Sequence, residues 1–561
     1  MSQFQRRVAA GIVGVLLLAA AIVGLRVLLA PARPVALTIL AINDFHGHLK
    51  PPPFGVAIAD PQDRSRHVVV RAGGAEHLAT AIARTREGKR NSIVVGAGDL
   101  IGASPLLSAV FNDEPTIRAL GDMGLAISAV GNHEFDDGAD ELVRIQNGGC
   151  HPQNACRGPE PYTGAGFRYL AASTVVEATG KTLFPPYEIR TFDGIPVAFI
   201  GLTLKATPTV VRPSGVKGLK FLDEAETVNA LVPELAQRGV RAIVVLIHEG
   251  GFPAGDYNEC PGISGPIVGI VERLDKAVDV VVSGHTHKAY NCRIDGRLVT
   301  SADKFGTMLT EISLTLDPRT GDVAGSTAQN HIVRPEVFAK EPRQTALIET
   351  YDRLARPLAS RIVGHITETL SRAENGHGES VLGDLIADAQ LAATAAPEAG
   401  GAQIAIVNTG GIRSDVLKRG DDGAVRYEDV FAAQPFGNTL VTVSLTGALL
   451  KLMLEQQWLE QPKPRLLQIS KGFTYVWDDR RAKGDFVAAE TILLNGQPIE
   501  AGKTYRVTMN TFLADGGDNF TVLREGKEQT GGPPELQALE AWLGSKSPYT
   551  PGPLERIRRA Y

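Results

Sequence analysis

The chain has 561 residues, too long for one compact domain and comfortable for two or three. It carries 57 basic and 62 acidic residues, a net charge of −5, with 21% charged and 43% hydrophobic residues. That balance excludes a polybasic nucleic-acid binder, an acidic disordered chain and a protein of many membrane spans. Glycine is over-used, 60 residues or about 11% against roughly 7% on average, and points to a loop-rich fold.

At the N-terminus, Arg6 and Arg7 precede an apolar stretch from Val8 to Ala30 that only Arg26 interrupts. The basic start, the apolar core and Ala30-Pro31-Ala32 fit a secretory signal. The stretch also approaches the roughly 20 residues that span a bilayer. Residues 1–34 are therefore expected to be a signal peptide or an N-terminal anchor. The rest would be exported, to the periplasm or the extracellular face, with membrane contact only through an uncleaved anchor. Four cysteines follow. Cys150 and Cys156 share one Gly/Asn/Pro-rich loop, so a local pair is expected, leaving Cys260 with Cys292. Such bridges agree with an oxidising compartment.

From residue 35 onward, short apolar runs end in polar clusters. Val35 to Ile42 leads into Asn43-Asp44-Phe45-His46, Ser92 to Val95 into Gly96-Ala97-Gly98-Asp99, and Ala126 to Val130 into Gly131-Asn132-His133-Glu134. Ala242 to Ile247 leads into His248-Glu249, and Val278 to Val282 into Ser283-Gly284-His285-Thr286-His287. Helical stretches, Ala75 to Arg86 and Asp223 to Gln237, lie between them. Strand, polar loop and helix in repetition read as a layered α/β domain over 35–335, with ligands gathering at the carboxyl ends of strands. Residues 336–364 are charged and helix-prone and are expected to form a linker helix. A second unit spans 365–545, with helices at Leu382 to Thr394 and Gly447 to Trp458 and strand-like runs at Gln403 to Val407, Leu440 to Leu445 and Tyr505 to Met509. Residues 546–561 read as a C-terminal tail.

A single Asp or His after a strand is usually a turn residue. Five such clusters in order, offering hard oxygens and imidazole nitrogens without a thiolate, make a site for borderline divalent cations. The series Asp44-x-His46, Gly98-Asp99, Gly131-Asn132-His133-Glu134, His248 and Gly284-His285-x-His287 resembles the calcineurin-like metallophosphoesterases. Leu37-Thr38-Ile39-Leu40-Ala41-Ile42-Asn43-Asp44-Phe45-His46-Gly47-His48 and Gly131-Asn132-His133-Glu134-Phe135-Asp136 resemble the 5′-nucleotidase family in particular. The resemblance covers essentially the whole chain after the N-terminal segment.

It implies an α/β fold, a layered β-sandwich flanked by helices, with a second, α+β substrate-binding domain. It also implies two divalent metal ions (Zn, Mn, Co or similar). Asp44, His46, Asp99 and His287 would hold one; Asp99, Asn132, His248 and His285 would hold the other, with Asp99 bridging. A water between two such ions becomes a hydroxide nucleophile. His133 would stand beside the metals and stabilise the phosphoryl transition state or leaving oxygen, with Asp136 orienting its ring. His48 reads as a residue supporting the ligands from behind or, by preference, as a surface-loop residue, and His67, His77, His151, His331, His365 and His377 as solvated.

Further along, Asn408-Thr409-Gly410-Gly411-Ile412-Arg413, Gln434-Pro435-Phe436-Gly437-Asn438 and Thr511-Phe512-Leu513-Ala514-Asp515-Gly516-Gly517-Asp518-Asn519-Phe520 are similar to the 5′-nucleotidase C-terminal domain. By that similarity Phe436 and Phe512 stack the base, Asp518 holds the ribose, Arg413 the phosphate and Asn408 the base. Mammalian ecto-nucleotidases place another phosphate-binding Arg at the start of the helix before this strand. Glu379-Ser380-Val381-Leu382-Gly383-Asp384 has none. A phosphate grip that is weaker or built differently is therefore expected, with room for 2′,3′-cyclic nucleotides, nucleotide sugars, dinucleotides or other phosphate esters.

The expected function is an exported dimetal phosphohydrolase, a 5′-nucleotidase, a 2′,3′-cyclic-nucleotide phosphodiesterase or both. Its substrate would be a nucleotide and not a nucleic acid polymer; the sequence leaves protein partners open. The alternative is a relative acting on nucleotide sugars, dinucleotides or a non-nucleotide ester, of the thiosulfate-carrier hydrolase type. A binding protein that had lost catalysis would lack ligands, whereas all seven positions and His133 are present.

Overall fold

The computed structural model describes residues 33–152, 155–459, 461 and 463–560. The expected signal or anchor lies outside the described residues, save Arg33 and Pro34. In the first unit two six-stranded sheets lie face to face. One runs, edge to edge, through Asp322–Ile332, Met308–Asp317, Val35–Ile42, Ser92–Ala97, Leu125–Ala129 and Arg168–Leu170. The other runs through Ala289–Ile294, Arg297–Ala302, Val280–Val282, Ala242–His248, Ile195–Thr203 and Tyr187–Phe192.

Val35–Ile42, Ser92–Ala97, Leu125–Ala129 and Arg168–Leu170 are mutually parallel, as are Ile195–Thr203, Ala242–His248, Val280–Val282 and Arg297–Ala302. Antiparallel strands close the edges. Parallel strands covered on both faces need unbroken apolar runs, and Ala242–His248 is buried at every position. Between the sheets sit Leu37, Ile39, Val95, Ile127, Phe199 and Val244 among others. The outer faces are covered by helices, Ala75–Arg86, Glu114–Asp122 and Ala139–Asn147 on one side and Glu224–Gln237 and Pro266–Arg273 on the other. The carboxyl ends of both parallel sets open on the same side of this sandwich, and the polar clusters converge there.

The 336–364 segment contains a helix, Pro342–Ala359, that is docked rather than free-standing. Leu347, Ile348, Tyr351 and Ala355 join the first unit's core, and Gln344 donates its amide to Ala119 O at 3.0 Å. The second unit is built on a five-stranded sheet ordered Gln468–Ile469, Ile404–Val407, Thr504–Asn510, Thr439–Thr446 and Lys527–Pro534. Helices Val381–Thr394 and Glu535–Ser545 cover one face; Gly447–Glu455 packs on the other. The stretch read as a tail is strapped to this unit: Ile557–Arg559 pairs in parallel with Tyr475–Trp477, and Ile557 is fully buried. Arg556 meets both oxygens of Asp388 at 2.8 Å and Asp384 at 3.1 Å.

Cys150 bridges to Cys156 and Cys260 to Cys292, with Cα separations of 4.7 and 5.2 Å. Among the described residues no helix is long and apolar enough to cross a membrane.

Candidate functional site

Each polar cluster delivers its side chains from the carboxyl end of a parallel strand or the loop after it, His248 being the last residue of its strand. Asp44, His46, Asp99 and Asn132 come from one sheet and His248, His285 and His287 from the other, and they meet. His248 Nε2 lies 2.9 Å and His46 Nε2 3.7 Å from Asp99 Oδ2, while His287 Nε2 lies 3.2 Å from Asp44 Oδ1 and 3.1 Å from His46 Nε2. Three ligand-type groups result: Asp44, His46 and His287; Asp99, His248 and His285; and His46, Asp99 and His133. Only glycine fits two of the loop positions. Gly98 has φ +80° and packs on Gly131, and a Cβ at Gly131 would fall onto the Asp99 carboxylate.

The donor set fits cations. Asn132 Oδ1 is buried without a hydrogen-bond partner. His46 Nδ1 donates to Gly102 O and His248 Nδ1 to Ala97 O, both at 2.8 Å, so Nε2 of each ring turns toward the cluster. Asn43 braces Asp44: its amide donates to Asp44 Oδ2 and to Asp303 O, each at 2.7 Å, and its oxygen accepts from Ala302 N. Burial holds His46 and His287 far below the usual imidazole range and His285 at about 3, leaving those rings neutral and able to coordinate. Burial also opposes charge on His248, but Asp99 outweighs it and holds the ring up to about 10. A metal would displace that proton.

His133 sits beside this group. Its backbone N–H donates to Asp99 Oδ1 at 2.9 Å and its Nδ1 pairs with Asp136 Oδ2 at 2.8 Å. Burial disfavours its charge, but the Asp136 and Asp99 carboxylates prevail and raise it above the ordinary histidine value. The ring therefore stands beside Asp99 with Nε2 free to carry a proton.

The second unit closes over His133. Phe436 stacks on its ring at 5.7 Å between centroids and 17° between planes, and the Arg413 guanidinium lies 5.7 Å from the Phe436 centroid. One cleft of about 1010 Å³ is lined by Asp99, Asn132, His133, Asp136, His285 and His287 on one side. Asn408, Arg413, Phe436, Phe512 and Asp518 line the other. Asp44, His46 and His248 lie beneath, fully buried. Asp518 accepts from Asn408 Nδ2 at 2.8 Å through one oxygen and pairs with Arg465 through the other. The Phe512 ring lies against Gly517, where any side chain would strike it.

Several residues in the site carried no motif. Arg372 lines the cleft, with its N–H held by Asp415 at 2.9 Å and its guanidinium on Ile412 O at 3.0 Å. Burial and this second cation together depress Arg413. The cleft is thus lined by Arg212, Arg372, Arg413 and Arg465 although the 379–384 stretch has no arginine. Glu134, inside the quoted string but without a role there, accepts from the backbone N–H of Asp99, Leu100 and Gly131 at 2.9, 2.8 and 2.7 Å. His48 is half-buried and supports the first ligand loop: it stacks on Phe305 at 3.8 Å, donates to His46 O, and burial lowers it to about 4. His77, read as solvated, is buried and bonded to Phe338 O at 2.7 Å.

Residues 37–289 match the calcineurin-like phosphoesterases, and residues 362–525 match the 5′-nucleotidase C-terminal domain. The chain is 32% identical over 523 residues to an endonuclease of Bacillus subtilis, covering 92% of this chain but 40% of that protein. It is 31% identical to a cell wall protein of Listeria monocytogenes over 91% of this chain and 67% of that one. Among solved structures it superposes on a 5′-nucleotidase precursor from Thermus thermophilus with a TM-score of 0.76 at 26% identity, over 93% of this chain and 99% of the other.

Proposed function

The chain belongs to the 5′-nucleotidase family of calcineurin-like phosphoesterases, metal-dependent hydrolases of phosphoric esters, and from that premise we propose that it removes phosphate from nucleotides outside the cytoplasm. The observation that carries the proposal is the cleft in which a nitrogen- and oxygen-donor cluster faces Phe436, Phe512, Arg372, Arg413 and the buried Asp518. Asp44, His46, Asp99 and His287 would hold one cation; Asp99, Asn132, His248 and His285 would hold the second. When bound, the pair would supply Lewis-acid activation of water and of the phosphoryl oxygens.

The remaining chemistry belongs to the chain. His133, charged by its neighbours and fixed by Asp136, places Nε2 to stabilise or protonate the leaving oxygen. Arg413 and Arg372 offer planar forks to the phosphate. Phe436 and Phe512 stack the base, a contact worth about 1–3 kcal/mol per base and tolerant of its identity. Asp518 accepts from the ribose hydroxyls, and Asn408 orients that acid while meeting the base. The two disulfides and the N-terminal apolar segment support export to the periplasm or extracellular face.

Phosphate release should be measured across nucleoside mono- and diphosphates, 2′,3′-cyclic nucleotides, nucleotide sugars and dinucleotides, with Zn, Mn or Co added and with a chelator. Release from at least one nucleotide class, abolished by chelation and by Asp99→Ala, is expected. Release from non-nucleotide esters alone, or release that survives chelation, would overturn the proposal.

A further inference from the structure

A buried acid outside this machinery touches it from behind. Glu535 opens the helix Glu535–Ser545, is 3% exposed and lies beyond the residues that match the 5′-nucleotidase C-terminal domain. Its carboxylate accepts from Asn438 Nδ2 at 3.0 Å, Asn510 Nδ2 at 3.3 Å and Gln434 Nε2 at 3.4 Å, and its N–H donates to Asn438 O at 3.0 Å. Burial pushes this acid up to about 7, while the amides of Asn438 and Asn510 favour its ionised form. Both of its oxygens accept, so each amide turns its nitrogen toward the acid and its oxygen away.

In Asn438 the consequence falls on the cleft. This residue is two positions after Phe436, 4% exposed, and lines the cleft wall, yet its Oδ1 is buried without a hydrogen-bond partner. Buried acceptors are rarely left so, and a donor on a bound ligand would satisfy this one. The same carboxylate also reaches the ribose end. Asn510 Nδ2 donates to Asn408 Oδ1 at 3.2 Å, and Asn408 Nδ2 in turn donates to Asp518 Oδ2. One buried acid therefore sets the hydrogen-bond polarity along both walls of the nucleoside end.

We propose that Glu535 is a positioning residue that holds Asn438 as an acceptor for the base edge, so that the cleft favours nucleotides whose base bears an exocyclic amine. This rests on the nucleotide-hydrolase reading above.

The test compares kcat/KM for AMP and for purine riboside 5′-monophosphate, which differ by that amine, in the metal-loaded full chain. Wild type should prefer AMP by about fivefold or more, the range of one neutral hydrogen bond. Glu535→Gln can donate as well as accept, lets Asn438 turn, and should bring the ratio toward one. Asn438→Ala should do the same with the acid left in place, and it serves alone if Glu535→Gln does not fold. The double variant should change the ratio no further. A wild-type ratio near one, or variants that slow both nucleotides equally, would overturn the inference and leave nucleotide hydrolysis standing. A wild type that hydrolyses neither nucleotide, nor any other, would overturn the function itself.

Discussion

Glu134→Gln probes whether one carboxylate clamps the loops that carry the ligands. Glu134 is 3% exposed and accepts three backbone N–H groups, from Asp99 and Leu100 after one strand and Gly131 after its neighbour. In the variant the carboxamide keeps one acceptor oxygen and turns its NH₂ toward N–H groups, leaving one or two buried donors unpaired. At about 1–3 kcal/mol each, the cost is about 2–4 kcal/mol. Burial, helped by Asp99, has already pushed the acid up to about 7, so it is partly protonated at neutral pH and the lower figure applies. In metal-free protein that should lower the unfolding midpoint of the first unit by about 4–8 °C. Because the clamp positions Asp99, metal affinity should also fall about 10–100-fold, read by competition against a coloured chelator. A variant that melts within a degree of wild type and holds metal equally well would refute the clamp.

Three further outcomes are expected. His133→Ala should retain two metals per chain by elemental analysis yet turn over about 10²–10⁴-fold more slowly; loss of metal would make His133 a ligand instead. Phe512→Ala should raise KM for nucleotides about tenfold through lost stacking, and an unchanged KM would place the base elsewhere. Asp279, whose Oδ2 accepts from Ile243 N at 2.9 Å, is pushed up to about 7 by burial from 3.8. The folded chain then keeps a proton that the unfolded chain releases, so this contribution to stability is complete below about pH 4 and lost as pH rises through 7. Asp279→Asn should exceed wild type by about 1–2 kcal/mol at pH 8 in urea titrations, after allowance for partial exposure, with the gap closing near pH 4. A gap independent of pH would show that desolvation of Asp279 is not its source.

The sequence made the converging positions legible because each ends or follows an unbroken apolar run, and buried parallel strands require such runs. Arg372 was not legible: it sits in an irregular loop, and only the hydrogen bonds to Asp415 and Ile412 O bring it to the cleft. Asn43 and Glu134 stood inside recognised strings, but their work is on backbone from distant loops, which no local pattern encodes. The same holds for the helix Pro342–Ala359. Its charged surface reads as a linker, while Leu347, Ile348 and Tyr351 on the opposite face dock into the first core.

What local preference could least reveal is how the ligands come to point inward. Asp44, His46, Asp99, His285 and His287 have φ of 49°, 46°, 49°, 68° and 54°, a left-handed region that residues with a Cβ seldom adopt. Five of the seven candidate ligands are thus held against their own backbone preference. The holding bonds come from other loops: Asp44 N–H donates to Gly98 O, His46 N–H to Asp99 O, Phe305 N–H to Asp44 O, and His285 N–H to the Asp44 carboxylate. Each loop is therefore bent by the next, and the last of these bonds joins the two sheets. Such conflict between local preference and global fold gathers at functional sites, where surrounding structure over-determines the strained residues. Spacing tells which residues gather; only two sheets docked with their carboxyl ends together can turn them toward one another.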